Sequence, residues 1–571
     1  MSKRSQLCTT PDRSRLMSRV RQTGTSQELN VQAILQSLGY FFDTKAIDLP
    51  GTPDIVNRPD KWAIYVHGCF WHAHKCPLWK IPKTNPQFWR EKFVANKRRD
   101  KTKLKQLRKR GYSVLTLWQC QLNNQSTAVA LVRKFMAKVE SNGFVNGHNV
   151  TVKQRQPEQA LGRREAYIYD EQKKLISRKV NKNNGEAFVS TLQVGESPRR
   201  RDSHATFDQA FLRNSEKVRH GSLKGTVRVV DLFSGCGGLS LGVREASIAL
   251  GYKFDPLLAV DENAASLKVY IDNFDPRFVS DCDICDILTG KIGDTLQPEE
   301  RALIKGLGSV HVLLAGPPCQ GHSDLNNHTR RIDKRNKLYD RVARFAQLAG
   351  PEHILIENVP AVIHGRGRVV EKTVTQLQRL GYNVDTGVVD LAELGVPQRR
   401  KRHILIASHS RCLSVHDVVE AHKVETPRNI RWAIGDIKAT MDNGAFDRPS
   451  ELHGSNLSRV NYLFRTERYD LPNRLRPICH QREHSYKSMY GRLKYAELSQ
   501  TITSGFGSPG QGRFIHPARP TTLTPHEAAR LQFFPDSFDF SSARLRTSLA
   551  NMIGNAVPMK LSYAFCMEFI S

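Results

Sequence analysis

The stretch VRVVDLFSGCGGLSLGVREA, residues 227–246, constrains this chain more than any other. A run of β-branched residues, a glycine-rich turn and the start of a helix follow one another without a spacer. Glycines let the backbone approach a ligand closely, and a strand–turn–helix unit of this kind belongs to a mostly parallel α/β sheet. A second apolar run, LLAVDEN (257–263), ends in an acid, Asp261, placed where it can hold ribose hydroxyls. Gly235, Gly237 and Asp261 therefore predict a Rossmann-like site for an adenosine-containing cofactor. The glycine spacing departs from the dinucleotide fingerprint, and at this point NAD competes with other cofactors.

Three further apolar runs end in chemistry. VHVLLAGPPCQGHSDLN (310–326) closes on Gly-Pro-Pro-Cys, where two prolines stiffen the turn and present Cys319 at a strand's carboxyl end. A thiol on a rigid loop is better suited to nucleophilic work than one inside an element. HILIENV (353–359) brings Glu357, and LGVPQRRKRHILIA (394–407) brings Arg400 and Arg402. A lone Glu or a basic run is usually surface; at successive strand ends they form a Cys/Glu/Arg constellation.

These residues resemble the DNA cytosine-5 methyltransferase (Dcm-like) family, from Val227 to about Ser562. DLFSGCGG, with Phe233, is similar to that family's S-adenosylmethionine loop and VDEN to its ribose site. Asp283 and Ile284 in CDI match the adenine contact, Pro318 the cofactor side of the nucleophile loop PPCQGHS, ENV the cytosine-binding acid, and QRRKR the arginine motif. LTPHEAARLQFFPDSF and IGNAVP resemble the closing motifs, with Asn555 returning to the cofactor. The family usually has Phe where this chain has His322. The resemblance implies that Cys319 adds to carbon 6 of a flipped cytosine, that Glu357 binds the ring, and that Arg400 and Arg402 orient base and phosphate. It also implies that residues 408–495, where the βα pattern stops and basic and aromatic residues mix, form a small target-recognition domain. The Cys pair in CDIC (282–285) lacks a second pair at zinc spacing and is expected as two buried thiols.

Charge points to a polyanionic partner. Of a net +31, residues 1–140 carry 26 Lys and Arg against 9 Asp and Glu, residues 141–225 carry 16 against 9, and residues 226–571 carry 44 against 37. Such a bias favours nucleic acid. No apolar run approaches a membrane span and no signal peptide is read at the start, so a cytoplasmic, reducing setting is expected.

The basic first segment reads as a compact α/β unit. Thr25 and Glu28 have capping-box spacing ahead of an apolar stripe at Val31, Ile34, Leu35 and Leu38, and Gly39 stops the helix. KWAIYVHG and YSVLTLW read as buried strands, with a long basic helix between them ended by Gly111. Between the two strands lies VHGCFWHAHKC (66–76). Cys69, His74 and Cys76 supply three zinc ligands, and Cys120, just past the second strand, completes a Cys3His set if the strands lie near each other. Three buried thiols and a surface histidine are the alternative. In LPGTPDIV, Asp54 stands at a strand start where a carboxylate suits Mg²⁺. This is similar to restriction-endonuclease-like α/β folds, although Val66 and His67 stand where a second acid and a lysine are usual.

From Arg13 to about Leu122 the chain resembles the very-short-patch repair (Vsr) endonuclease family, on LPGTPDIV, VHGCFWHAHKC, PKTNPQFWREK and LWQC. The resemblance implies Mg²⁺ on Asp54 with the Val66 carbonyl as a second contact, and His67 and His72 activating water or protonating the leaving group. It also implies Glu28 near the active site, and Phe70, Trp71 and Trp89 wedged into the DNA stack. The family often has Thr where this chain has Val66.

The expected organisation is a nuclease domain over 1–140 with structural zinc, a basic and partly disordered linker over 141–225, and a methyltransferase over 226–571. The expected function is cytosine-5 methylation of double-stranded DNA together with nicking at T·G mismatches left by deamination. A restriction–modification enzyme cutting unmethylated sites and an inactive DNA-binding regulator are the competing readings. Mismatch-repair proteins as partners, a monomeric state and association with the bacterial nucleoid complete the expectations.

Overall fold

The computed structural model describes residues 25–141, 161–194, 202–318, 338–438 and 444–571, leaving aside 39, 41, 45, 47–48, 59, 78, 82–84, 162–163, 183–184, 216–217, 365–367 and 482–487. The chain divides into two units, Met1–Gln156 and Pro157–Ser571.

In the first unit, strands β1 (Asp43–Thr44), β2 (Ile55–Asn57), β3 (Trp62–His67) and β4 (Ser113–Trp118) form one sheet in that order. β1, β2 and β3 are antiparallel neighbours, whereas β3 and β4 run parallel with His67 opposite Trp118. A parallel pair needs a crossover, and the helix Pro86–Lys109 supplies it. Pro86 opens that helix, and Gly111 at φ 84 follows its end. Alternation along β3 feeds two cores. Trp62 and Ile64 pack with Val31, Ile34 and Leu35, while Ala63 and Tyr65 pack with Leu107. β4 was expected to be buried, but Leu117 is its one fully buried residue, because β4 is the sheet's edge and has a neighbour on one side only. At the helix Ser26–Ser37, the Glu28 N–H donates to Thr25 Oγ1 at 3.3 Å and the Thr25 hydroxyl donates to Glu28 Oε1 at 2.9 Å.

Residues 161–220 correct the expected linker. β5 (Glu165–Asp170), β6 (Leu175–Asn181), β7 (Ala187–Gln193) and β8 (Arg219–His220) form an antiparallel sheet, crossed by the helix Ser203–Arg213. Ile176, Val180, Leu192, Phe207, Phe211 and Leu212 join the main core of the second unit. The apolar alternation is weak because the inner face also carries charge and hydroxyls. Buried Arg178 donates to Ser190 Oγ at 3.1 Å and to Tyr563 Oη at 3.0 Å, and Tyr563 in turn bonds Glu165.

β9 (Thr226–Leu232), β10 (Lys253–Val260), β11 (Phe278–Ser280), β12 (Val312–Ala315), β13 (His353–Asn358), β14 (Asn383–Asp390) and β16 (Lys401–Ser408) build the large sheet, with the two-residue β15 (Gln398–Arg399) outside it. The order is β11-β10-β9-β12-β13-β16-β14, and β16 alone runs against its neighbours. Order reverses between β9 and β12, the switch point at which such sheets bind ligands beyond the strands' carboxyl ends. One apolar core lies on each face of this sheet. Within 408–495, the helices Val415–His422 and Ile430–Ile434 belong to the main core. A separate small core gathers Val460, Leu463, Leu471, Met489, Tyr490 and Ile515, so it reaches past the expected boundary. Among the described residues, no helix is long and apolar enough to cross a membrane.

Candidate active sites

The glycine-rich turn after β9 explains its own composition. Phe233 and Gly235 take left-handed conformations at φ 62 and 53, and Gly237 at φ 94. A Cβ on Gly237 would stand 2.3 Å from the Phe274 ring, and one on Gly238 would stand 2.3 Å from the Val557 carbonyl oxygen. The turn is fixed by Asp261 at the end of β10. Its Oδ2 accepts from the Gly235 N–H at 2.7 Å and its Oδ1 from the Asn263 N–H at 2.9 Å. Asp283 caps a short helix by accepting from the Cys285 N–H at 2.9 Å, and Ile284 beside it is buried. Asn555 is exposed next to Ala556. The Cys pair differs from expectation: Cys282 is half-buried and Cys285 exposed, because the short helix turns its polar face outward.

Cys319 and His322 lie outside the described residues, which end this loop at Pro318. The loop's stem is held: buried Asn358 donates to the Pro317 carbonyl at 3.1 Å. One residue earlier on β13, Glu357 is 7% exposed, and Arg402 on β16 reaches its carboxylate at 2.6 Å. Register sets Glu357 opposite Ile404, so Arg402 meets it diagonally from the strand's start. Arg400 departs from the expected role toward the base. It is 2% exposed and donates to the backbone carbonyls of Ile502 at 2.8 Å and Ala556 at 2.9 Å. A guanidinium offers five donors, and here they hold the backbone beside Asn555.

In the first unit, the strand pairing brings Cys120 to the Cys69–Cys76 turn. The ligand atoms of Cys69, His74, Cys76 and Cys120 lie within 4.8 Å of one another. Cys69 Sγ and Cys120 Sγ stand 3.7 and 3.5 Å from His74 Nδ1. A tetrahedron with Zn–S bonds of about 2.3 Å has edges of about 3.7 Å, so the donor set and spacing fit zinc. The His74 ring stacks on Trp118 at 4.2 Å.

Beside it, His67, His72 and Asp100 form a second cluster on one wall of a cavity of about 480 Å³. His72 Nδ1 and Asp100 Oδ2 are 2.6 Å apart, and the His67 and His72 rings stack at 3.8 Å. Burial, then the His72 charge, lowers the His67 pKa to about 4, against the pull of Asp100. His67 is thus neutral near pH 7, and its buried Nδ1 has no hydrogen-bond partner among the described residues. Burial raises Asp54 to about 6; the Val66 N–H donating to it at 2.7 Å opposes the rise and Glu28 adds to it. Asp100 was missed in the sequence. Its signal was there: it is the one acid between Lys92 and Arg110, on an otherwise basic helix. Phe70, Trp71 and Trp89 are half-buried and mutually packed, with ring centres 5.1 to 6.1 Å apart and the Lys92 ammonium over Trp71 and Trp89.

Comparisons with known proteins find one family match within each unit. Residues 227–570 match the family described as C-5 cytosine-specific DNA methylase, and residues 5–78 match DNA mismatch endonuclease Vsr. The Type II methyltransferase M1.BsuMI of Bacillus subtilis (strain 168) is 41% identical over 396 residues, 69% of this chain and 92% of that protein. The Type II methylase M.HgiDII of Herpetosiphon aurantiacus is 31% identical over 345 residues, 58% of this chain and 92% of that protein. The Type II nicking enzyme V.XorIIP of Xanthomonas oryzae pv. oryzae is 40% identical over 127 residues, 22% of this chain and 93% of that protein. With strand ends that carry Glu357 and Arg402 in one unit and a four-ligand cluster beside paired histidines in the other, the chain belongs to the C-5 cytosine-specific DNA methylase family and bears a Vsr-type mismatch endonuclease region fused ahead of it.

Proposed function

We propose that this bifunctional DNA enzyme methylates carbon 5 of a flipped cytosine through Cys319, and nicks DNA at the T·G mismatches that deamination of its own product leaves behind. The observation that carries the methylation mechanism is the pairing of buried Glu357 with half-buried Arg402 beside the Pro317 loop stem. A cytosine in a duplex is out of reach, so it must leave the stack, at a cost of a few kcal/mol. Glu357 then accepts a hydrogen bond from the amino group and shares a proton with N3, which neutralises the charge that addition at carbon 6 puts on the ring, and Arg402 holds Glu357 in place. The Cys319 thiolate adds to carbon 6, which makes carbon 5 nucleophilic. After carbon 5 takes the methyl group it loses its proton, and the thiolate leaves to restore the ring. S-adenosylmethionine, which Phe233, Gly235, Gly237, Asp261, Asp283, Ile284, Pro318 and Asn555 would hold, would supply an electrophilic methyl group. The residues fit it: the Cβ position of Gly235 faces open space among the described residues, and Arg400 steadies the backbone beside Asn555. The test is a trapped adduct on DNA containing 5-fluorocytosine. It should form with the intact chain and be absent for Cys319→Ala, which should still bind S-adenosylmethionine. Methylation by the Ala variant would refute the assignment.

For nicking, Asp54 and the Val66 carbonyl would hold Mg²⁺, which supplies charge neutralisation at the scissile phosphate. Asp100 orients His72 as an Asp–His pair, and neutral His67 can accept a proton; between them they activate water and protonate the leaving oxygen. Cys69, His74, Cys76 and Cys120 would hold Zn²⁺ as a structural centre that ties the β3 turn to the end of β4. Phe70, Trp71 and Trp89 form the aromatic surface that inserts where a mismatch is easy to unstack. Single-strand cutting is supported by the resemblance to a nicking enzyme and by one such histidine pair among the described residues.

A further inference from the structure

We propose that Asp208 and its helix Ser203–Arg213 are positioning elements for methyl transfer. They set residues 428–436, the root of the proposed recognition region, against residues 555–562 on the cofactor side. The helix lies ahead of residue 227, outside the matched methylase region.

Asp208 is 3% exposed and divides its carboxylate between two distant segments. One oxygen accepts from Lys560 Nζ at 2.7 Å and the other from Arg428, and both cations are buried. A single buried carboxylate between two buried cations is costly to desolvate, and each partner depends on the others, so such a group specifies geometry more than it adds stability. On the recognition side, the helix continues the grip. Gln209 donates to the Trp432 carbonyl at 2.9 Å, and Arg213 pairs with Asp436 at 3.1 Å. The Leu212 carbonyl accepts from the Asp536 N–H at 2.9 Å.

On the cofactor side, Lys560 opens the last helix, just after the short turn that follows the helix Arg546–Asn555. That stretch lies backbone to backbone on the helix that follows the glycine-rich turn. A Cβ on Gly242 would stand 2.2 Å from the Met559 carbonyl oxygen, and Ser562 donates to the Leu239 carbonyl at 2.7 Å. Contacts therefore run unbroken from Asp208 through Lys560 to the turn at 233–238. A helix that merely covered the core would need only Phe207, Phe211 and Leu212.

The inference rests on residues 408–495 meeting DNA. Three full-chain variants test it, with unmethylated plasmid DNA and S-adenosylmethionine as the probes. Gln209→Leu/Arg213→Met removes the grip on 432–436 without stranding a buried charge. It should raise the KM for DNA about tenfold, with kcat, S-adenosylmethionine affinity and Tm near those of the intact chain. Asp208→Asn should raise both the KM for DNA and the Kd for S-adenosylmethionine about tenfold. A purely structural helix would instead lower Tm and leave both constants of the folded molecules unchanged, and that result overturns the proposal. If Asp208→Asn does not fold, the double variant decides alone, and an unchanged KM overturns the proposal. Arg465→Ala/Arg468→Ala, exposed within the recognition region, separates the premise. An unchanged KM there faults the region's assignment and leaves the clamp to be judged by the Asp208→Asn Kd.

Discussion

At the scale of single residues, two arginines two positions apart have different work. Arg400 is buried on the carbonyls of Ile502 and Ala556, whereas Arg402 meets the Glu357 carboxylate. Arg400→Met leaves buried carbonyls unpaired and should destabilise the second unit by about 2–4 kcal/mol, read by denaturant unfolding. Arg402→Lys keeps a charge but loses the fork that fits a carboxylate. It should lower kcat about tenfold or more with Tm nearly unmoved. Equal effects on stability from both variants would contradict this division. The sequence presents both as members of one motif, and nothing in it separates an arginine facing backbone from one facing a carboxylate. Their difference arises from the tertiary approach of residues 502 and 556, more than 100 positions away. Asp100 shows the opposite case. Its isolation among basic residues was readable, but its purpose depends on the crossover helix laying it against His72, which local pattern does not fix.

At the scale of elements, the Cys3His cluster was the most legible feature: Cys and His spacing supplied three of its members, and Cys120 joins them because the two strands read from the sequence lie side by side as β3 and β4. If zinc holds that cluster, the intact chain contains one zinc, and chelation should expose β3 and β4 to rapid hydrogen exchange while the second unit stays protected. Zinc-free chain with a protected β3 would contradict it. The sheet at 165–193 was illegible for a physical reason. Its inner face is filled by Arg178, Ser190 and Glu165 as well as by aliphatic side chains, so period-two alternation is blurred. A second buried ionic element makes a pH prediction. His526 sits between Asp447 at 2.7 Å and Asp536 at 2.8 Å, with Arg530 nearby and Phe446 stacked on the ring. Burial opposes the charged ring, but the Asp536 and Asp447 carboxylates outweigh it and raise its pKa. A raised histidine contributes stability that is fully present below its unfolded pKa and is lost as pH rises through the folded one. His526→Gln should therefore cost about 1 kcal/mol or more at about pH 6 and much less at about pH 9, read by thermal unfolding across that range. A pH-independent cost would show that the ring acts through packing alone.

At the scale of the whole molecule, the two chemistries share one logic. Methylation at carbon 5 creates the base whose deamination yields thymine opposite guanine, and under the proposed function Phe70, Trp71 and Trp89 of the first unit would act on such a pair because it unstacks cheaply. The strong positive charge of residues 1–140, read from sequence alone, is what the proposed nicking would need in order to hold the DNA backbone. The most direct measurement uses one labelled duplex containing the methyltransferase's own target in unmethylated, hemimethylated, fully methylated and T·G forms, incubated with the intact chain, Mg²⁺ and S-adenosylmethionine. The account predicts methylation of the first two forms and nicking of the T·G form alone, in its thymine strand, with nicking lost in Asp54→Ala and methylation kept. Double-strand cleavage of the unmethylated duplex, with the T·G duplex left intact, would contradict it.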